Sequence, residues 1–210
     1  MAIQRTLVIA CGALAREINQ LKKINGWEHL DLTCIDAALH FHPEKIGAAL
    51  RERIQANRDR YADMYIAYAE CGSRGEIDKI VEEEGIERLP GAHCYQFFAG
   101  EDAFAQMSDE EPGTFYLTDF LVRHFQRLVV RSLGLDRHPE LRDAYFGNYK
   151  RLIYLAQTQD DELVQGAQEA AKFLGLEYSL VNTGYGELEH SLRRKFEGRK
   201  DGEKDNYLLA

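Results

Sequence analysis

Three of the four cysteines lie where a predicted strand ends and the chain turns. Cys11 and Cys71 each follow an apolar run and precede a glycine, and Cys94 lies in a turn beside a histidine. In an open α/β sheet, ligands bind at the carboxyl ends of the strands. Thiolates are soft ligands that suit zinc and iron–sulfur clusters, and three protein ligands with an open fourth position are typical of catalytic zinc. We therefore interpret these cysteines as ligands of one metal ion, with zinc as the predicted metal.

A purely structural role for the cysteines has to be weighed against this interpretation. Free cysteine is among the most buried residue types and often serves as a small core side chain. Cys34 illustrates that role, because it lies inside a predicted strand in register with Leu30 and Leu32, and we assign it to the core. An iron–sulfur cluster or a thiol redox site would use the same cysteines, and both alternatives stay open.

Two histidines and one aspartate are the predicted catalytic residues. His93 precedes Cys94, and a neutral imidazole there could bind metal or transfer a proton near neutral pH. His40 follows the second predicted strand at the same edge, where it could supply a fourth ligand or contact an anionic substrate. A solvated loop histidine at a helix start explains His40 equally well. Asp119 directly follows the strand predicted over residues 114–118.

A further set of small and polar residues at strand ends could contact a cofactor or substrate. Glycine lets the backbone approach a ligand closely, and a tyrosine can cover the ligand or hydrogen-bond to it. The predicted contacts are Gly12, Gly72, Gln157, Gly184 and Tyr185.

Strands and helices alternate along the chain, which predicts an α/β fold. The spacing favours an open, mainly parallel sheet with helices on both faces, in the doubly wound, Rossmann-like manner. Residues 1–197 form one predicted domain, with sub-lobes at 1–100 and 101–197, and the polar segment 198–210 is predicted to be disordered. One long amphipathic helix is expected over residues 119–133.

The overall composition excludes several classes of protein. The 210 residues are 45% hydrophobic and 29% charged, as in ordinary globular proteins, and the net charge of −9 disfavours a nucleic-acid partner. No apolar run is long enough to span a membrane, and the first predicted strand leaves no room for a signal peptide. The cysteines follow no secreted-type framework, so we expect cytoplasmic thiols. Dinucleotide, phosphate-loop and serine-hydrolase motifs are absent from the sequence.

Three segments carry a resemblance to a known family. Tyr-Ala-Glu-Cys-Gly at 68–72, Leu-Pro-Gly-Ala-His-Cys-Tyr at 89–95 and Tyr-Leu-Thr-Asp-Phe at 116–120 resemble an uncharacterised bacterial and archaeal family, the domain of unknown function 1638. The resemblance spans residues 7–196, and the His93-Cys94 motif is its most specific part. Members resemble accessory or partner proteins of corrinoid-dependent methyl transfer. The resemblance thus implies one-carbon chemistry with a corrinoid protein as partner, although no corrinoid-binding motif is present.

The expected function is therefore a zinc-dependent methyltransferase or an accessory protein of corrinoid-linked methyl transfer, acting on a small-molecule substrate. Whether the chain is itself an enzyme is left open by the sequence. The alternatives are an iron–sulfur or thiol redox protein and a non-catalytic binding or assembly module whose cysteines are core residues. No membrane partner is expected, and the aromatic content permits a homo-oligomer without requiring one.

Overall fold

Seven parallel strands form two separate sheets in the computed structural model, which describes residues 5–197. The first sheet has the order β2-β1-β3-β4, and the second has the order β5-β6-β7. Every neighbouring pair is parallel. The strands are β1 (Thr6–Cys11), β2 (Leu30–Ile35), β3 (Asp63–Ala67), β4 (Glu87–Arg88), β5 (Thr114–Thr118), β6 (Arg151–Ala156) and β7 (Glu177–Asn182).

Nine α-helices connect and cover these strands in the described part of the chain. They are α1 (Ala15–Asn25), α2 (Ile46–Gln55), α3 (Glu76–Glu84), α4 (Cys94–Ala99), α5 (Glu101–Glu110), α6 (Asp119–Arg123), α7 (Leu141–Phe146), α8 (Asp161–Leu174) and α9 (Gly186–Phe196). Short 3-10 turns follow β1 and β2, and none of the described helices is long and apolar enough to cross a membrane. The predicted disordered tail, 198–210, lies outside the described residues.

The predicted fold class is confirmed, with the difference that the sheet is divided into two. Strands β1 and β3 are the central strands of the first sheet, and their near-continuous apolar sequence is typical of parallel strands covered on both faces. Strand β6 has this role in the second sheet, where five of its six residues are buried. Alternation of strands and helices predicted the parallel pairing, because parallel strands need crossover connections.

The chain returns to the first core at its carboxyl end. Leu188 and Leu192 of α9 are buried in the same cluster as β1 and β3, and Phe196 makes edge contacts with Trp27 and Tyr65. In between, α4 contributes Phe97 to the first core and Tyr95 to the face of the second sheet. Helix α4 therefore packs on both sheets, and the sub-lobes at 1–100 and 101–197 stay a prediction.

The prediction of one long helix over residues 119–133 is wrong. Helix α6 ends at Arg123, His124 has a non-helical φ of −114°, and residues 126–131 form a π-helix. The Ser132 hydroxyl donates to the carbonyl of Arg127, five residues back, which fits the wider turn. Helices α4 and α5 were not predicted, because their sequences show no sustained apolar periodicity.

Gly186 begins α9 in a position that accepts no side chain. Its φ is +48°, and an added Cβ would collide with the carbonyl oxygen of Phe98 at the end of α4. Gly184 has a similar φ of +57°, yet an added Cβ there would meet no heavy atom of the described chain within 4 Å. Both positions therefore carry the cost of a left-handed backbone, and only Gly186 adds the cost of close packing.

We expect Gly186→Ala to destabilise the protein more than Gly184→Ala. Both substitutions place an L side chain in the left-handed region, at a cost of about 1–2 kcal/mol. Gly186→Ala adds an overpacking cost of about 1–3 kcal/mol, because α9 must shift away from α4. Urea unfolding of the two variants measures the difference, and equal stability would contradict the close packing of α9 on α4.

Candidate functional site

The carboxyl edge of the first sheet carries a cysteine after or within each of its four strands. Cys34 lies inside β2 and is paired in register with Ala10 of β1. Cys11 is the last residue of β1, Cys71 follows β3, and Cys94 is the first residue of α4, after β4. Because all four strands are parallel, their carboxyl ends meet at one edge, as the sequence analysis expected.

Three of these thiols are neighbours in space. Cys71 interacts electrostatically with Cys11, and Cys94 interacts with both. Burial raises the pKa of all three thiols, that of Cys71 to about 12, and the nearby sulfurs raise the pKa of Cys71 and Cys94 further. In this structure the three side chains are therefore thiols, not thiolates, at neutral pH.

Backbone N–H groups approach each of the three sulfurs. The N–H of Ala13 faces the sulfur of Cys11, the N–H of Cys94 faces the sulfur of Cys71, and the N–H of Tyr95 faces the sulfur of Cys94. Each of these contacts favours the thiolate and opposes the effect of burial. Hydrogen bonds to sulfur are also the means by which proteins tune metal–thiolate centres.

Cys71 and Cys94 are held together by the backbone around them. The N–H groups of Glu70 and Cys71 donate to the carbonyls of Gly91 and Ala92, at 3.0 and 2.9 Å. Cys71 itself has a φ of +48°, which a residue with a side chain adopts only when its surroundings impose it. The turn that carries Cys71 is thus strained and is paired directly with the segment that leads into Cys94.

The Glu70 carboxylate stabilises this strained turn from within. It accepts hydrogen bonds from the N–H groups of Gly72 and Gly75, at 2.7 and 3.0 Å, and from the Ser73 hydroxyl at 3.0 Å. Burial raises the pKa of Glu70, but these hydrogen bonds outweigh it and the net pKa is lowered. Glu70 therefore acts on the shape of the Cys71 turn and does not donate a proton at neutral pH.

The Tyr68 hydroxyl lies among the three thiols. Tyr68 is 1% exposed, and its hydroxyl has no hydrogen-bond partner among the described residues. Burial raises its pKa, and Cys11, Cys71 and Cys94 all raise it further. The hydroxyl approaches the Cys11 side chain, an interaction that lowers the pKa of Cys11, but it forms no hydrogen bond with the described part of the chain. A buried, unpaired hydroxyl costs about 1–3 kcal/mol, so its retention calls for a reason.

The two predicted catalytic histidines are brought close to each other. Burial and the proximity of His93 lower the pKa of His40. The His93 ring stacks on Tyr95 with 6.3 Å between ring centroids, and the backbone N–H of His93 donates to the side-chain oxygen of Gln96. Both histidines are nevertheless exposed to solvent, so the burial that lowers the pKa of His40 is partial.

In the described part of the chain, the four cysteines at this edge do not form a preformed metal-binding site. Within residues 5–197, no three His, Cys, Asp or Glu side chains converge closely enough to hold a metal ion. Cys34 interacts with Cys11 and is partly buried against the first core; Cys11 and Cys94 pack against the same core, and Cys71 is one of its buried members. The three predicted ligands have the right chemistry and adjacency, and their sulfurs would have to turn toward a common point.

Two of the three glycines predicted to contact a cofactor, Gly12 and Gly72, serve the turns themselves. An added Cβ at Gly12 would stand 3.1 Å from the carbonyl oxygen of Ile35, so glycine lets the turn after β1 pass close to the end of β2. Gly72 has a φ of +80° within the Cys71 turn. Both roles are local, and contact with a cofactor stays a prediction.

Asp119 lies at the carboxyl edge of the second sheet, and its carboxylate is fully engaged. One oxygen accepts from the Tyr154 hydroxyl at 2.7 Å and from the Gln157 N–H at 2.9 Å, and the other accepts from the Thr158 hydroxyl at 2.5 Å. The Gln157 side chain accepts in return from the Asp119 N–H at 2.8 Å. These bonds tie the ends of β5 and β6 together, while a catalytic role of Asp119 and a cofactor contact of Gln157 stay predictions.

Tyr185 connects this second edge to the first half of the molecule. Its ring packs against the first core, while its hydroxyl is near Glu17 of α1 and Asp119. Glu17 is 4% exposed and was not singled out in the sequence, because an acidic residue in the first turn of a helix is ordinary. Tyr68 was missed for a similar reason, since an aromatic residue at the end of a strand is usually interpreted as a core residue.

The comparisons with known proteins extend these observations. No curated protein and no solved structure matches the chain. One family model matches residues 34–192, which includes Cys34, Cys71, Cys94 and Asp119 and leaves Cys11 outside. Its description is "Protein of unknown function (DUF1638)". The resemblance found in the sequence is confirmed, and the chain belongs to the DUF1638 family.

Proposed function

We propose that the protein binds a thiophilic metal ion, zinc, through Cys11, Cys71 and Cys94 at the carboxyl edge of the first sheet. The observation that carries this proposal is the thiol cluster itself. Three cysteines from three strand ends are neighbours, and each sulfur faces a backbone N–H. Core cysteines need neither mutual proximity nor N–H donors, whereas metal-bound thiolates benefit from both.

The unpaired Tyr68 hydroxyl supports the same interpretation. With the thiols protonated it has no acceptor, but a thiolate or an external ligand beside the cluster would supply one. Three thiolates leave a fourth position, for which His93 and His40 are the nearest predicted ligands or proton carriers. A zinc ion with an open position supplies Lewis acidity and deprotonates a bound thiol or water.

This site is suited to a small-molecule substrate that binds through sulfur or oxygen. Methyl transfer to such a substrate, with a corrinoid protein as methyl donor, is the most concrete activity that the resemblance implies. A cytoplasmic location fits this proposal, because a reducing compartment keeps thiols available as metal ligands.

The first test is elemental analysis of protein purified without chelator. We expect about one zinc ion per chain in the wild type and a strong loss of zinc in Cys71→Ser, because a catalytic zinc needs its three ligands. Cys34→Ser is the matched control, since it removes a neighbouring thiol that is not one of the three proposed ligands, and it should retain zinc.

The other outcomes of this measurement identify the alternatives. Iron and sulfide together with visible absorbance in anaerobically prepared protein would indicate an iron–sulfur cluster instead. Metal-free protein whose thiols react equally slowly with and without chelator would indicate core cysteines in a binding module.

Zinc binding should release protons and should strengthen steeply with pH. Because burial keeps all three thiols protonated at neutral pH, each must lose its proton to become a ligand. We expect about three protons released per zinc, and an affinity that rises by up to about 10³-fold per pH unit below the thiol pKa values. Calorimetric titration in buffers of different ionisation enthalpy counts the protons. Release of fewer than two would rule out a three-thiolate site.

Tyr68→Phe tests whether the unpaired hydroxyl belongs to the metal-bound state. Removal of a buried hydroxyl without a partner should leave the free energy of unfolding of the metal-free protein unchanged or raise it by about 1 kcal/mol. Zinc affinity should nevertheless fall several-fold. Tyr154→Phe is the control, because its hydroxyl donates to Asp119, and its loss should destabilise the protein without affecting zinc. Unchanged zinc affinity in Tyr68→Phe would exclude Tyr68 from the site.

A further inference from the structure

The seam between the two sheets and their helices contains a buried carboxyl group, one oxygen of which has no hydrogen-bond partner among the described residues. The turn over residues 12–14 packs against α6, which places the start of α1 beside the end of β5. Glu17 projects into this seam, and its Oε2 atom is inaccessible and makes no hydrogen bond with the described residues. Across the seam lies Asp119, whose side chain is 2% exposed.

The charged groups that face Glu17 do not neutralise it. Arg123 of α6 is shared between Asp119, at 3.9 Å, and Asp160, at 3.5 Å. Arg16 of α1 is exposed to solvent, and Tyr185, from the turn before α9, is uncharged. With Glu17 ionised, Arg123 and Arg16 would face three carboxylates, two of them in the buried seam.

We propose that Glu17 forms a proton-dependent contact between the two halves of the molecule, packed when its carboxyl is protonated and opened to water when it is ionised. An ionised Glu17 would place two buried carboxylates against each other, which is stabilised only if water or a cation enters the seam. Opening there would expose the turn after β1 and the end of β5. This proposal is independent of the metal site.

The direction of the pH effect follows from the environment of Glu17. Burial is the largest cause and Asp119 adds to it, so the net pKa of Glu17 is raised despite Arg123 and Arg16. The native state therefore holds this proton at pH values where the unfolded chain has lost it. The contribution to stability is fully present below the ordinary glutamate pKa and is lost as pH rises through the native pKa.

Hydrogen exchange of the α6 amides, corrected for intrinsic rates, tests the proposal. In the wild type, we expect protection of α6 to fall as pH rises from about 5 to about 8, by at most about tenfold per pH unit, the limit for one proton. Glu17→Gln keeps the shape and removes the proton, so its α6 protection should not vary with pH. Glu28→Gln, at an exposed glutamate, should behave as the wild type does.

The carboxyl resonance of Glu17 in isotope-labelled wild type provides a second measurement that needs no variant. A titration midpoint above the ordinary value of about 4.3 supports the proposal even if Glu17→Gln fails to fold. A midpoint at the ordinary value, or equal pH dependence of α6 protection in wild type and Glu17→Gln, would overturn it.

Discussion

The parallel direction of all seven strands is the constraint on which both edges of this molecule depend. Parallel strands are connected by crossovers that contain a helix. The carboxyl ends of all strands in a sheet therefore lie at one edge. Cys11, Cys71 and Cys94 are 60 and 23 residues apart in sequence, and they become neighbours because β1, β3 and β4 run the same way. Asp119 and Gln157 meet at the second sheet by the same rule.

Local backbone interactions then determine how closely the cysteines at the edge of the first sheet approach each other. The hydrogen bonds from Glu70 and Cys71 to Gly91 and Ala92 continue the pairing of β3 with β4 beyond the strands. The Glu70 carboxylate offsets the left-handed conformation of Cys71 by satisfying the N–H groups of the turn. A strained residue is retained when its surroundings over-determine it, and such positions cluster at functional sites.

The sequence predicted those features that follow from strand ends and failed for those that depend on packing. Apolar runs that end in Cys11 and Cys71 located the edge, and the alternation of strands and helices established the fold class. The division into two sheets could not be predicted, because the register between distant strands leaves no local pattern. The break at His124 was missed since residues on both sides of it keep an apolar periodicity. Tyr68 and Glu17 could be identified only from the structure, in which a buried side-chain oxygen of each residue lacks a hydrogen-bond partner among the described residues.

Unpaired buried groups distinguish the two edges from the rest of the molecule. The described residues contain three such atoms, on Glu17, Tyr68 and Tyr178. Tyr178 lies at the opposite, amino-terminal end of the edge strand β7 and packs against the second core. The other two each lie beside ionisable groups: the three thiols near Tyr68, and Asp119 near Glu17. An isolated unpaired group in a core has no ionisable neighbours of this kind. We therefore expect the two edges, and not the remaining core, to respond to protons.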